Sequence, residues 1–307
     1  MGVGGLLAVL LVGACHVSGL AGRPSAGDEP IIDAHVHTRF DGRPERSSGI
    51  PYTRQELLRQ MRAAGVVAAI AHTDEDGGGY VDMAADCVLH CAGIGARVDV
   101  ARVEEGLRQG QYRCIKIYLG YVHQFAYDPA YEPAYQLAER YDVPVVFHTG
   151  DTYSHRAKLK YADPLTVDEV AVDHPRVRFV LAHAGTPWFQ SAAEVAYKNP
   201  NVYLDGSALV IGRLHEISRS ELDSYLVRPL AWVFGYLEDP SKLLYGSDWP
   251  LVDMAAYAAA FRRAIPKEHW RAVLHDNAAR LFRIDAPGQA PANCTPSKTK
   301  VGVRRTE

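Results

Sequence analysis

The chain lacks a dominant charge. Its 33 Lys and Arg against 36 Asp and Glu leave a formal net charge of −3 over 307 residues, and no block of like charge is long enough to grip an anionic surface. That removes the electrostatic case for a nucleic-acid or membrane-surface partner and leaves a small molecule as the expected substrate. Long apolar runs are missing too. The run near the N-terminus, Leu6 to Val12, falls well short of the roughly 20 apolar residues that span a bilayer, so no transmembrane helix is expected. Cysteine is scarce. Of five, Cys15 and Cys294 lie near the two ends, and Cys87, Cys91 and Cys114 remain without a CxxC or Cys/His finger spacing. No disulfide framework emerges from three, and small buried thiols are the expectation.

What is present is ordinary globular material, 48% hydrophobic and 22% charged, enough for one large α/β barrel or two modest domains. From Ile31 onward short apolar runs alternate with amphipathic segments of helical length, the pattern of repeated βα units around a parallel sheet. Eight strands are expected, near Ile31 to His37, Val66 to His72, Val88 to Ile94, Tyr112 to Leu119, Val143 to Thr149, Val177 to Ala184, Val202 to Gly206 and Leu243 to Asp248. Eight is the number that closes a (β/α)₈ TIM barrel. Thr53 and Glu56 have capping-box spacing, and Gly65 stops the helix they open. Pro129, Pro164 and Pro187 stand near helix starts. Glu216 to Leu237 should form a long seventh helix, followed by helices around Asp253 to Ile265 and Lys267 to Phe282. Arg39 to Pro51 and Glu75 to Tyr80 follow strand ends and read as flexible loops over a site.

The expected division is a leader over residues 1–29, a barrel domain over 30–285 and a disordered basic tail over 286–307. Val12-Gly13-Ala14-Cys15 is similar to a bacterial lipobox, but no Lys or Arg precedes the apolar run as an export signal needs. The balance tips toward a cytoplasmic enzyme with a non-structural leader, with export or lipid anchoring through Cys15 as the alternative.

Chemistry gathers at predicted strand ends. In Ile31-Ile32-Asp33-Ala34-His35-Val36-His37 two imidazoles one residue apart share a strand face and can reach one divalent ion. His148 in Phe147-His148-Thr149-Gly150, His183 in Ala182-His183-Ala184-Gly185, and Asp248 in Gly246-Ser247-Asp248-Trp249-Pro250 also stand at strand ends. In a closed parallel barrel those ends converge on one mouth. A single such histidine is more often a satisfied core residue; the set together argues for a metal, with zinc the best match to imidazole and carboxylate donors. Lys116 is a separate signal. Ile115, Ile117 and Leu119 share the helix-facing side, so Cys114, Lys116 and Tyr118 face the interior, where a lysine is costly unless paired or working. It can pair with Asp248, meet a substrate oxyanion or carboxylate, be carboxylated to bridge two metals, or simply lie along the wall with its ammonium at the rim.

The order of His35 and His37, Lys116, His148, His183 and Asp248, with their flanking motifs, resembles the amidohydrolase superfamily, in particular its amidohydrolase-related (amidohydrolase 2) branch. The likeness spans roughly Pro30 to Ile284. It implies a metal-dependent (β/α)₈ barrel with His35, His37, His148 and Asp248 on the metal and His183 beside it as a catalytic group. Lys116 matches the bridging lysine of two-metal members, although the branch usually uses one ion, and dimers are common among its barrels, so a homodimer is a further expectation.

The reading that follows is a metal-dependent hydrolase in which activated water attacks an amide, lactone or ester carbon. Asp248 would take the water proton and return it to the leaving group, while His183 polarises the scissile carbonyl or orients the water. Asp33 stands one step deeper as a residue that orients a ligand or packs the floor. Two rivals keep the same residues: a nonoxidative decarboxylase cleaving a carbon-carbon bond, and a metal-stabilised barrel that binds a ligand without turnover. Tyr118, Asp151, Tyr153, Trp188 and Trp249 are the candidate substrate contacts, with Tyr121, His123 and Lys158 nearby; Asp151 and Trp249 stand out because they follow the His148 and Asp248 motifs.

Overall fold

The computed structural model describes residues 29–284; the expected leader, with Cys15, and the basic tail lie outside the described residues. Eight strands form one sheet in sequence order, each parallel to the next. They are β1 (Ile31–Val36), β2 (Val66–His72), β3 (Val88–Ile94), β4 (Tyr112–Ile117), β5 (Val145–Phe147), β6 (Phe179–Leu181), β7 (Val202–Asp205) and β8 (Leu243–Leu244). The seam between first and last strand is stitched just beyond β8. Ala34 N–H donates to Tyr245 O at 2.9 Å, Asp248 N–H to His35 O at 2.8 Å and His37 N–H to Trp249 O at 2.9 Å. Closure in this way leaves no long unpaired edge.

Two apolar layers follow from the strand period of two. Ile70, Leu89, Cys91, Cys114, Val146, Val180 and Leu244 fill the barrel floor against Leu281, Phe282 and Ile284. Their neighbours Ala69, Val88, Ile115, Ile117, Phe147, Phe179 and Leu243 face the helices. The first helix, Arg54–Ala64, begins and ends as its sequence dictates: Thr53 accepts from Glu56 N–H, and Gly65 closes it at φ 73°.

Several expected strands prove shorter. β5, β6 and β8 stop at Phe147, Leu181 and Leu244, because the chain then turns through left-handed backbone at Gly150, His183, Ala184 and Asp248. The expected long helix over Glu216 to Leu237 starts at Arg219 behind a Ser218 capping box with Glu221. It widens to a π turn over Asp223–Val227 before Arg228–Leu237, where Pro229 has no N–H to continue the regular ladder. The expectation of small buried thiols fails at Cys91 and Cys114, which form a disulfide with Cα atoms 4.3 Å apart. The parallel register of β3 and β4 sets them side by side. No helix among the described residues is long and apolar enough to cross a membrane.

Candidate metal centre and active site

The C-terminal strand ends open into a cavity of about 530 Å³ whose floor carries His35, His37, Lys116, His148, His183 and Asp248. Apart from the half-buried His37, all are buried. His35 Nδ1 lies 2.5 Å from Asp205 Oδ2, so the ring donates there and turns its Nε2 lone pair to the cavity. Burial holds His35 neutral by pushing its pKa well below the ordinary imidazole value. His37 is oriented alike, with Nδ1 3.2 Å from His72 O. Both Nε2 atoms then converge on Asp248 Oδ1, at 3.6 Å from His35 and 3.1 Å from His37.

That convergence is chemically telling. Each Nδ1 is turned to an oxygen, so each Nε2 faces the Asp248 carboxylate, whose Oδ1 is buried without a hydrogen-bond partner. Two imidazole nitrogens and a carboxylate oxygen this close need a proton or a cation among them, and the donor set suits a divalent ion. His35, His183 and Asp248 each offer an atom within 4.8 Å of the others. His183 Nδ1 lies 3.9 Å from Asp248 Oδ2 and 3.0 Å from Ser207 Oγ, and its Nε2 lies 3.1 Å from His148 Nδ1. His148 is therefore one step outward of the cluster: its Nε2–H donates to Asp151 O at 2.8 Å while its Nδ1 meets His183. The structure groups His183 more tightly with His35 and Asp248 than His148.

Burial alone would push the Asp248 carboxyl up, but His37, His183 and Lys116 together hold it at about 2. The carboxylate is ionised at neutral pH. Burial pushes Lys116 down to about 8 against the pull of Asp205 and Asp248. Its Nζ is buried without a hydrogen bond, so the arrangement with an ammonium resting in water at the rim does not hold. Asp33 accepts from His35 N–H and Ser247 N–H through one oxygen, tying β1 to the turn that carries Asp248. Burial lifts its carboxyl to about 7.

The turn itself is demanding. Asp248 at φ 63° and His183 at φ 62° occupy left-handed backbone that non-glycine residues adopt at some cost, a feature that gathers at working sites. Gly246 permits the close approach beneath it: a Cβ there would collide with Asp205 Oδ1 and sit 3.0 Å from both His35 Cβ and Ser207 Cβ.

Two participants escaped the sequence reading. Asp205 ends β7 and orients His35; its carboxyl is pushed up to about 7 by burial and drawn back by Lys116. His72 ends β2, packs tilted against His35 with ring centroids 4.1 Å apart, and bonds Ala34 O through Nε2 at 3.1 Å. Both obey the rule that identified the others, a polar residue closing an apolar strand.

Of the candidate substrate contacts, Tyr118, Asp151 and Tyr153 line the cavity, as does Tyr121, whose ring packs 4.9 Å from His148. Tyr118 OH donates to Thr73 O at 2.6 Å, and Tyr153 OH donates to Glu45 Oε1 at 2.9 Å. Trp188 and Trp249 do not line it. Trp188 precedes the helix Phe189–Lys198 and borders an outer hollow with Trp232. Trp249 is fully buried behind the wall, edge-on to Tyr52 at 5.5 Å, because the left-handed turn at Asp248 sends the two neighbouring side chains to different sides of the wall. His123 turns away as well, its Nε2 2.9 Å from Arg156 O.

Solved structures of similar fold include an uncharacterised TIM-barrel protein from Bordetella bronchiseptica, at 21% identity and TM-score 0.64, covering 85% of this chain and 99% of that one. A putative 2-pyrone-4,6-dicarboxylic acid hydrolase from Pseudomonas putida aligns at 17% identity and TM-score 0.60, covering 84% and 99%. A 2,6-dihydroxybenzoate decarboxylase from Rhizobium aligns at 14% identity and TM-score 0.56, covering 84% and 100%. At these identities the likeness concerns the fold. No curated protein matches the sequence. The profile of the family described as Amidohydrolase matches residues 32–284, nearly the whole described barrel, and the chain belongs to that family.

Proposed function

We propose that the protein is a metal-dependent hydrolase acting on an amide, lactone or ester carbon of a small molecule. The observation that carries this reading is the meeting of His35 Nε2, His37 Nε2 and the unpartnered Asp248 Oδ1 at the floor of an open cavity. The donor set fits a divalent ion, zinc first, held by His35, His37 and Asp248, with His148 completing the set as the resemblance implies or His183 from its nearer position. One ion is favoured; carboxylation of Lys116 would make room for two. Such an ion, when bound, supplies Lewis acidity, lowering the pKa of water to roughly 7 and polarising a carbonyl.

The chain's own groups do the rest. Asp248, ionised and aimed into the cavity, takes the proton of the attacking water and returns it to the leaving group. His183, fixed by Ser207 and His148, orients the water or helps polarise the scissile carbonyl. Lys116 places a cation beside Asp248 and Asp205. Tyr118, Tyr121 and Tyr153 shape the walls, and Asp151 holds His148 through its carbonyl.

The same residues serve the rival reading, a nonoxidative decarboxylase, and the similar folds include proteins of both kinds. Metal analysis of the purified protein, with a panel separating CO₂ release from ester, lactone and amide cleavage, decides between them. Asp248→Asn should keep the fold and lose turnover by about 10²-fold or more. Undiminished turnover in that variant, or a protein that neither binds metal nor turns over any panel member, removes the reading. A Cys91–Cys114 disulfide is of the kind that persists in oxidising compartments, an observation in favour of the exported alternative.

A further inference from the structure

The outer part of the cavity carries information on substrate class that the metal-binding floor does not. Four carboxylates, Glu45, Asp74, Glu75 and Asp151, line its rim against one guanidinium, Arg39. Arg39 pairs with Asp74, its Nη1 lying 3.1 Å from Asp74 Oδ2, so these two charges offset each other and Glu45, Glu75 and Asp151 remain in excess. Arg46 lies outside the lining, over the Tyr153 ring at 5.7 Å. The remaining lining cation, Lys116, is sealed in the floor beside Asp205 and Asp248. Among the described residues that line the cavity, Arg39 is the one guanidinium, and it already faces a carboxylate.

The aromatic faces point the same way. Tyr52, Tyr118, Tyr121 and Tyr153 also line the cavity, and two of these rings already face cations, Tyr118 toward Lys116 at 5.5 Å and Tyr153 toward Arg46, as tyrosine faces do. Glu45 is locked rather than loose: Oε2 accepts from Ser47 N–H and Ser48 N–H, both at 2.7 Å, and Oε1 from Tyr153 OH. Below them the cavity ends on the unpartnered Asp248 Oδ1. The site thus has a reacting end and an anionic, tyrosine-walled end.

We infer that the substrate is cationic, carrying an ammonium group distal to the scissile bond that sits against the tyrosines and the Glu45, Glu75 and Asp151 carboxylates, and that di- and tricarboxylates are excluded. This rests on the hydrolase reading for the scissile bond but not for the charge preference. The arrangement differs from what an enzyme of a dicarboxylic acid requires, where charge must be matched by cations.

The test uses three acetate esters differing in the distal group: acetylcholine, its neutral isostere 3,3-dimethylbutyl acetate, and the anionic 3-acetoxypropanoate. It also uses the matching alcohols choline, 3,3-dimethylbutanol and 3-hydroxypropanoate as ligands in calorimetry, on the full chain with and without zinc. The expected order of affinity is cation over neutral by about tenfold or more at low salt, narrowing in high salt, with the anion weakest. Glu75→Gln should reduce the cation's advantage and Arg39→Gln should enlarge it, opposite signs that a misfolded variant would not produce. Equal binding of the three alcohols, preference for the anion, or no measurable binding of any overturns the inference. If choline binds best but no ester is cleaved, the charge preference stands and the hydrolase reading loses its support. If the anionic ester is cleaved fastest, the hydrolase reading stands and this inference falls.

Discussion

Asp205 shows how one residue can govern a site without touching the substrate. By accepting from His35 Nδ1 it decides which imidazole nitrogen faces the cavity, and by sitting near Lys116 it shares that buried charge. A carboxylate behind a metal-binding imidazole raises its basicity and fixes its tautomer. Asp205→Asn should therefore weaken metal affinity by about 10–100-fold while the fold persists. Competition against a chromophoric chelator measures this, and unchanged affinity would remove Asp205 from the role. The residue was legible in principle, since it ends a short apolar strand as His35 and Asp248 do. It was missed because a lone aspartate before glycine equally marks a turn.

At the scale of elements, strand existence was legible and strand ends were not. Alternation placed all eight strands, and Thr53, Glu56 and Gly65 placed a helix to the residue, because these signals are local. The ends of β5, β6 and β8 depend on left-handed turns at residues such as His183 and Asp248 that carry side chains against the usual preference for glycine. Pairing across strands was equally hidden. Cys91 and Cys114 are 23 residues apart and meet only through the β3–β4 register. Removing both in Cys91→Ala/Cys114→Ala should cost about 2–4 kcal/mol, read as a lower urea midpoint with a slope that is unchanged or steeper as the unfolded chain expands. An unshifted midpoint would show that this staple carries no stability.

For the whole molecule, the concentration of buried imidazoles sets an acid limit. Burial lowers His35, His72 and His148 well below the ordinary value and brings His90 and His183 to about 4. The unfolded chain binds those protons near pH 6.5 while the folded chain does not, so the unfolded state gains protons first as pH falls. Stability is then held above about pH 6.5 and lost progressively toward pH 4. Bound metal should add about 2.7 kcal/mol when present at a hundred times its Kd, and a chelator should remove that increment and lower Tm. Denaturation at pH 7 and pH 5, each with and without chelator, checks both statements; stability that stays flat on acidification would contradict the first.

By itself the sequence determined the barrel, the direction in which its strand ends open, and most of the polar residues at its mouth, because strand period, capping chemistry and the cost of a buried lysine are local facts. Only the tertiary structure decided which of those residues share one point. It set His183 nearer than His148, brought in His72 and Asp205, and turned Trp188 and Trp249 away from the cavity, since register, closure and backbone turns act between segments far apart in the chain.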